Sequence, residues 1–206
     1  MKLKRACLKY LLMACLFSSQ SVHAAGFAGT RGTICVVPER ALVFYNKVLY
    51  VAEPGTCVIT KFDNDESFAG IIGKLTPQIH LVKKLAASVA KGSRDIVAVR
   101  TRLTIDGADA SYFLSPTEDG GHTLTKSASD EGALWRDDLV DAKGLPDDSH
   151  TYDYTLEHAR LGRFIVVSSK ETIIKDRDGK PLTLHALVLG EKKDAARFQI
   201  INISGP

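Results

Sequence analysis

Short apolar runs separated by polar turns recur along most of this chain. From Ile34 onward, several of these runs alternate apolar and polar side chains, which is typical of strands with one buried face. Asn46-Lys47, Asp106-Gly107 and Asp178-Gly179 lie between such runs, at the length and composition of tight hairpin turns. The pattern therefore predicts a domain built mainly of strands and hairpins.

Residues 77–91 depart from the strand pattern. Their apolar residues recur at helical spacing, and Pro77 can occupy the first turn of a helix. The recurring positions are Ile79, Val82, Ala86 and Val89, with Leu81 and Leu85 beside them. Gly92 would end such a helix. We therefore predict one amphipathic helix with its apolar face on the core. A helix that binds a partner or a membrane surface is the alternative interpretation of the same residues.

An eight-residue stretch occurs twice in the chain. Residues 59–66 begin Ile-Thr-Lys and end Asp-Glu, while residues 124–131 begin Leu-Thr-Lys and end Asp-Glu. A fainter third copy lies at 188–195, so the three copies begin 65 and then 64 residues apart. A fixed period predicts repeated units that must pack together to bury their apolar faces.

Four short strands can be assigned to each of three repeats of about 60 residues. In each repeat a hairpin begins at Leu42, Leu103 or Leu156, the repeated Ile/Leu-Thr-Lys strand follows, and an apolar cluster completes the unit. The clusters lie at Phe68 to Ile72, Leu134-Trp135 and Phe198 to Ile201. This pattern resembles the β-trefoil, the fold of Kunitz-type inhibitors, interleukin-1-like cytokines and ricin-type lectins. The resemblance implies an all-β domain over residues 34–206, with the helix inserted in the first repeat. An α+β domain is the alternative.

The N-terminus has the composition of a targeting segment. Basic residues precede an apolar run at Leu11 to Phe17, and Val22-His23-Ala24 supplies small residues for cleavage. We predict a signal peptide over residues 1–24, a flexible lead-in over residues 25–33, and a periplasmic or secreted mature protein. The apolar run is too short to span a bilayer. Lipid attachment at Cys15 is the alternative.

Cleavage would change the charge of the chain. The full sequence has 27 basic and 24 acidic side chains, and four of the basic ones lie in the predicted signal peptide. The mature chain would therefore have a formal charge of −1. Its composition gives no electrostatic reason to expect binding to nucleic acid or to an anionic membrane.

Two cysteines, Cys35 and Cys57, lie beyond the predicted signal peptide. Two cysteines in an exported protein most often form a disulfide with each other. Closing a loop of this size would stabilise the fold by about 3 kcal/mol. A pair of metal-binding or redox thiols is the alternative, although the sequence has no Cys-x-x-Cys motif.

Candidate chemistry is sparse. The chain lacks the common hydrolase, zinc-protease, Walker and dinucleotide-binding motifs, so we expect no enzyme, no cofactor and no metal. A metal could be bound by three residues that are close in sequence, His150, Asp153 and His158. On a strand, however, the side chain of Asp153 would point to the face opposite to the two histidines. We therefore expect surface histidines beside a loop. Residues 176–179 resemble the start of a calcium loop without its final acid, which favours a hairpin turn.

The acidic turn of the repeat is the predicted partner-binding site. It comprises Asp63, Asn64, Asp65, Glu66, Asp130 and Glu131. Relatives of the fold that the chain resembles bind partners through hairpin loops, and an exposed acidic loop would steer onto a basic cleft. We therefore predict an exported, non-catalytic protein that binds and inhibits a partner protein, either as a hydrolase inhibitor or as an immunity-type protein.

Two alternative functions would use other residues. A carbohydrate-binding module would use exposed aromatic residues. The candidates are Tyr45, Tyr112 and Tyr152. The Gln-x-Trp signature of ricin-type lectins is missing, so we expect Trp135 to be a core residue. A hydrolase would need a polar cluster that includes His150 or His158.

Overall fold

The described part of the chain is almost entirely β structure. The computed structural model describes residues 31–38, 40–53, 68–90, 96–127, 131–144 and 150–202. Its strands are β1 Arg31–Val36, β2 Ala41–Tyr45, β3 Val48–Glu53, β4 His80–Leu81, β5 Lys84–Val89, β6 Val97–Ile105, β7 Ala108–Pro116, β8 His122–Thr125, β9 Leu134–Gly144, β10 His150–His158, β11 Phe164–Lys175, β12 Pro181–Gly190 and β13 Phe198–Asn202. The predicted all-β class is confirmed.

Helical structure within these residues is limited to short segments. They are α1 Ala69–Ile72 and two 3₁₀ helices, Glu131–Ala133 and Lys192–Asp194. None of the described helical segments has the length and apolar character needed to cross a membrane.

The predicted hairpin turns are present and have the backbone that their residues favour. Asn46 and Lys47 join β2 to β3 with φ of 46° and 65°, and Asp106 and Gly107 join β6 to β7 with φ of 51° and 76°. Two consecutive left-handed residues match the right-handed twist of the flanking strands. Asn46, Asp106 and Gly107 adopt this conformation at low cost, whereas Lys47 does so less readily. These turns fix the register of the two hairpins.

Six strands pair in a closed ring within one antiparallel sheet. β1 pairs with β5, β5 with β6, β6 with β9, β9 with β10, β10 with β13, and β13 pairs with β1 again. The closing register places Ile34 opposite Ile200 and Val36 opposite Phe198. Three hairpins, β2–β3, β7–β8 and β11–β12, come between the ring strands in chain order. β3 pairs with β12, and β8 contacts both.

The main core fills the space that the ring and hairpins enclose. Along β6, Val99 and Leu103 are buried while Arg100 and Arg102 are exposed, because successive side chains of a strand point to opposite faces. The largest fully buried side chains of this core are Trp135, Tyr154, Phe198, Ile34, Leu49, Leu156 and Ile165. Burying each such side chain contributes about 1.5–3 kcal/mol.

A second, smaller apolar cluster lies on the other face of the β2–β3 hairpin. Phe68 and Ile71 pack there against Val43, Ala52 and Leu184. The prediction that Phe68 to Ile72 is a strand is therefore wrong. A single helical turn brings residues three positions apart to one side, so Phe68 and Ile71 both reach the hairpin.

The helix predicted over residues 77–91 is wrong. Residues 80–81 and 84–89 form β4 and β5, and the buried residues are Ile79, Val82, Leu85 and Ala87. The non-strand pair Val82-Lys83 joins the two strands and resets the alternation of inward and outward side chains. The first three buried residues are thereby spaced three apart, as they would be in a helix. Pairing of β5 with β1 and β6 decides its conformation.

The strands β9 and β10 extend into a stretch whose composition predicts a loop. Residues 141–151 contain Gly144, Pro146 and Ser149, which favour turns, but β9 extends to Gly144 and β10 begins at His150. The two strands pair along this polar stretch, with Tyr152 opposite Ala142.

Cys35 is buried and disulfide-bonded. Since Cys57 lies outside the described residues, its pairing with Cys35 stays a prediction.

Gly190 lies at a close approach between β11 and β12. A Cβ at this position would be 2.6 Å from Cγ1 and 2.7 Å from Cγ2 of Val166. Because both methyl groups belong to a stiff, buried side chain, we expect Gly190→Ala to lower the free energy of unfolding by about 1–3 kcal/mol. Urea denaturation followed by circular dichroism measures this change. The cost should shrink in a Val166→Ala background, and an equal cost in both backgrounds would contradict the contact.

Candidate functional site

The acidic turn predicted from the sequence falls mostly outside the described residues. Asp63, Asn64, Asp65, Glu66 and Asp130 all lie there. Glu131 begins the 3₁₀ helix that leads into β9, and its side chain is not among those described. The role of this turn in partner binding therefore stays a prediction.

Two buried histidines pack against Trp135. The ring of His122 is 5.5 Å from the Trp135 ring between centroids, and the ring of His158 is 5.3 Å from it in an edge-on arrangement. All three side chains are fully buried, and Trp135 Nε1 donates a hydrogen bond of 3.1 Å to the carbonyl of Leu114. The prediction that Trp135 is a core residue is confirmed.

Burial keeps both histidines neutral by lowering the pKa of each ring, and their hydrogen bonds set which ring nitrogen carries the proton. His158 Nδ1 accepts from the amide of Leu161 at 3.1 Å, so its Nε2 carries the proton and donates to the Gly132 carbonyl at 3.2 Å. His122 Nδ1 donates to the Leu187 carbonyl at 2.9 Å. Burial lowers the pKa of His122 to about 4 and also lowers the pKa of His158. These rings act as core side chains.

The structure does not gather the three residues considered as metal ligands. His158 is buried against Trp135, so its prediction as a surface histidine is wrong. Asp153 is also buried and accepts a hydrogen bond from Gln199 Nε2 at 2.9 Å. The side chain of His150 is not among those described. No group of three potential metal ligands occurs in the described part of the chain.

Residues 176–179 form the hairpin turn between β11 and β12. The Asp176 carboxylate accepts hydrogen bonds from the amides of Asp178 and Lys180, at 2.9 and 2.8 Å. Gly179 follows with φ of 79°. The carboxylate thus caps its own turn, and the prediction of a hairpin turn at these residues is confirmed.

The tyrosines considered for carbohydrate binding do not share a platform. Tyr112 is buried in the main core, and Tyr152 packs against the same core. Tyr45 packs against the second cluster, next to Tyr50. A sugar site of exposed stacked rings would need aromatic faces on one surface, which these three side chains do not provide.

The described surface does contain a basic groove on the outer face of β5, β6 and β7. It has a volume of about 370 Å³ and is lined by Lys84, Leu85, Ala86, Arg100, Thr101, Arg102 and Ser111. Ala86 lies opposite Arg100 across one strand pair, and Ser111 lies opposite Arg102 across the other. The groove exists because the small side chains of Ala86 and Ser111 alternate with long basic ones.

A second depression, the apolar pocket, adjoins the basic groove. It has a volume of about 490 Å³ and is lined by Ile72, Leu75, Ile79, His80, Leu81, Lys83, Lys84, Arg102, Leu103 and Thr104. Lys84 and Arg102 line both depressions, so the two are adjacent. The segment that follows α1 forms one wall of the pocket, and the end of β6 forms the other.

Four basic side chains line this surface. The basic side chains are Lys83, Lys84, Arg100 and Arg102. Asp109 pairs with Arg102 at 2.6 Å, whereas Arg100 has no ion pair with any carboxylate of the described residues. An exposed guanidinium offers several donors in one plane, an arrangement that suits a carboxylate. This combination of groove and charge is the strongest candidate binding site.

The sequence contained a signal for this site. Arg100 and Arg102 are two positions apart on a predicted strand, which places both on one face. What the sequence could not indicate is that β5 lies beside them, because residues 77–91 resembled a helix. Only the strand pairing brings Lys84 and Ala86 to the same groove.

No protein-family model matches the chain, and no curated protein matches it in sequence.

Proposed function

We propose that this chain is an exported, non-catalytic binding protein of β-trefoil architecture, and that its basic groove binds an acidic segment of a partner protein. Inhibition of a hydrolase, or neutralisation of one as an immunity-type protein, is the form of binding that we favour. The acidic turn at residues 63–66 would then be a separate contact.

The strand pairing supports the β-trefoil part of the proposal. In chain order, ring strands and outer hairpins alternate three times, and β1 and β13 close the ring. The hairpins β2–β3, β7–β8 and β11–β12 contact one another through β3, β8 and β12. Three equivalent units around one axis would have this connectivity.

The charge of the groove is the observation that carries the functional proposal. Arg100, Arg102 and Lys84 face one depression, and the exposed Arg100 has no carboxylate partner among the described residues. An exposed guanidinium such as that of Arg100 attracts carboxylates and raises the rate of association with an acidic partner. Guanidinium groups do not lose their protons near neutral pH and so supply no general base.

The proposal is tested by partner capture with charge-reversed variants. The full chain is immobilised and exposed to periplasmic and secreted fractions, and each protein retained is then measured against wild type and Arg100→Glu by calorimetry. We expect at least one partner whose affinity falls by about tenfold or more in Arg100→Glu, because an attractive contact becomes repulsive.

Arg197→Glu provides the matched control, since Arg197 is exposed and does not line the groove. Its affinity for the same partner should equal that of wild type. Partners that bind all three proteins equally, or the absence of any retained partner, would refute the assignment of the groove.

A further inference from the structure

The contact between β8 and β12 includes a buried histidine. One isolated backbone bridge joins the two segments, and the amide of Leu189 donates a hydrogen bond of 3.0 Å to the Gly120 carbonyl. His122 Nδ1 donates a further hydrogen bond of 2.9 Å to the Leu187 carbonyl. We call this bridge and these two hydrogen bonds the β8–β12 contact.

β8 is held less extensively than its neighbours. It is the last strand in the order of the sheet and pairs in register with β7 alone. β12, in contrast, pairs with β11 over most of the length of both strands and with β3 on its other side. Local opening costs least where few interactions must break. The β8–β12 contact can therefore open while β12 keeps its other partners.

The imidazole of His122 is suited to one hydrogen-bond donor only. It is fully buried, and its Nε2 has no hydrogen-bond partner among the described residues. Protonation would convert Nε2 from an acceptor to a second donor and would place a charge in the main core. A buried charged donor without an acceptor is much less stable than the same group in water. The protonated imidazole is therefore stabilised when it leaves the core.

The surroundings of this imidazole do not compensate its charge. β7, β9 and β12 face it with a proline, an indole and a backbone carbonyl, which do not titrate. On β10, the charge of His158 lowers the pKa of His122 further. In the turn before β8, the exposed Asp119 carboxylate accepts hydrogen bonds within its own turn, and its charge raises the pKa of Tyr50 on β3.

We infer that protonation of His122 separates β8 from β12 while the closed ring of six strands stays intact. Leu124 of β8 lines the same interior cavity as Leu49 and Leu187, so the separation exposes apolar surface. One of the three hairpins is thus a pH-dependent conformational switch. This inference does not involve the basic groove, so it stands or falls independently of the proposed function.

Amide hydrogen exchange of the full chain, followed by NMR, tests this inference. The Leu189 amide reports on the β8–β12 contact, and the Ile34 amide, which donates to the Lys83 carbonyl, reports on the ring. The pKa of His122 is about 4 when buried and near 6.5 when exposed. The Leu189 exchange rate, corrected for its intrinsic pH dependence, should therefore rise by about tenfold or more between pH 6.5 and 4.5.

Urea distinguishes local opening from unfolding of the whole domain. Opening of the β8–β12 contact exposes little surface, so low concentrations of urea should hardly change the Leu189 rate at pH 4.5. Exchange at Ile34 requires the ring to open, so it should be slower than exchange at Leu189 by about tenfold or more and should accelerate with urea.

Two variants assign the effect to His122. Asparagine keeps a donor for the Leu187 carbonyl but does not titrate, so in His122→Asn the corrected Leu189 rate should change by less than about twofold between pH 6.5 and 4.5. His80→Asn is the matched control, because His80 lies on β4, outside the β8–β12 contact, and it should keep the wild-type increase. Circular dichroism at pH 6.5 establishes that each variant is folded.

The wild-type protein alone can overturn the inference. A Leu189 rate that does not rise down to pH 4.5 would show that the contact does not respond to protons. Equal rates and equal urea dependence at Leu189 and Ile34 would show that the domain opens only as a whole. An increase in His122→Asn as large as that in wild type would assign the response to a different group.

Discussion

Replacing Trp135 with alanine is expected to lower the free energy of unfolding by about 3–5 kcal/mol. Its side chain is fully buried between His122 and His158 and donates a hydrogen bond to the Leu114 carbonyl. Truncation would leave a cavity in the main core and an unpaired carbonyl, two costs that act together. A loss of this size is a large fraction of the stability of a typical domain, which is about 5–15 kcal/mol.

The measurement is urea denaturation followed by far-ultraviolet circular dichroism, since the substitution removes the only tryptophan. Trp135→Phe fills most of the cavity without the hydrogen bond and should cost less than Trp135→Ala. Val140→Ala is the control, because Val140 is on the same strand but 48% exposed, and it should change stability by no more than about 0.5 kcal/mol. Similar losses at Trp135 and Val140 would show that Trp135 is not a central core residue.

Acidification is expected to destabilise the fold through its buried histidines. The pKa of His122 is lowered from 6.5 to about 4 in the folded protein, mainly by burial. The unfolded chain therefore binds a proton more readily, so stability is complete above pH 6.5 and falls as the pH decreases towards 4. The shift corresponds to about 3 kcal/mol at pH 4, and His158, whose pKa is also lowered, adds to the loss.

The variant His122→Asn separates this effect from the titration of carboxylates. Asparagine keeps a donor for the Leu187 carbonyl but does not titrate. We expect it to be less stable than wild type at pH 7, because it fills the site less well, yet to lose less stability between pH 6.5 and 4. Unfolding curves at several pH values give the dependence of stability on pH for wild type and for the variant. Equal losses of stability between pH 6.5 and 4 in the two proteins would contradict the lowered pKa of His122.

The hairpins were predictable because their signals are local. Asn46-Lys47 and Asp106-Gly107 set the backbone of two turns without help from the rest of the chain. The flanking apolar runs then identified β2 and β3, and the alternation of apolar and polar residues identified the second half of β6. Where the relevant physics lies within a few residues, the sequence is sufficient.

The failures occurred where distant strands decide the conformation. Residues 84–89 include Ala86 and Ala87, which favour a helix when considered alone, but β1 and β6 each pair with this segment. His158 resembled a surface residue because it precedes a turn, and its burial depends on Trp135 from another strand. The groove is a further example, since Ala86 and Arg100 lie opposite each other only in the folded sheet.

Pairing of β1 with β13 has a consequence for how the protein is made. Ile34 and Ile200 are opposite each other in the register that closes the ring, so the ring is incomplete until almost the whole chain is available. Contacts between such distant residues slow folding. Until β13 is present, β1 and β10 each lack one of their strand partners, and such exposed strand edges are sites where another chain can pair.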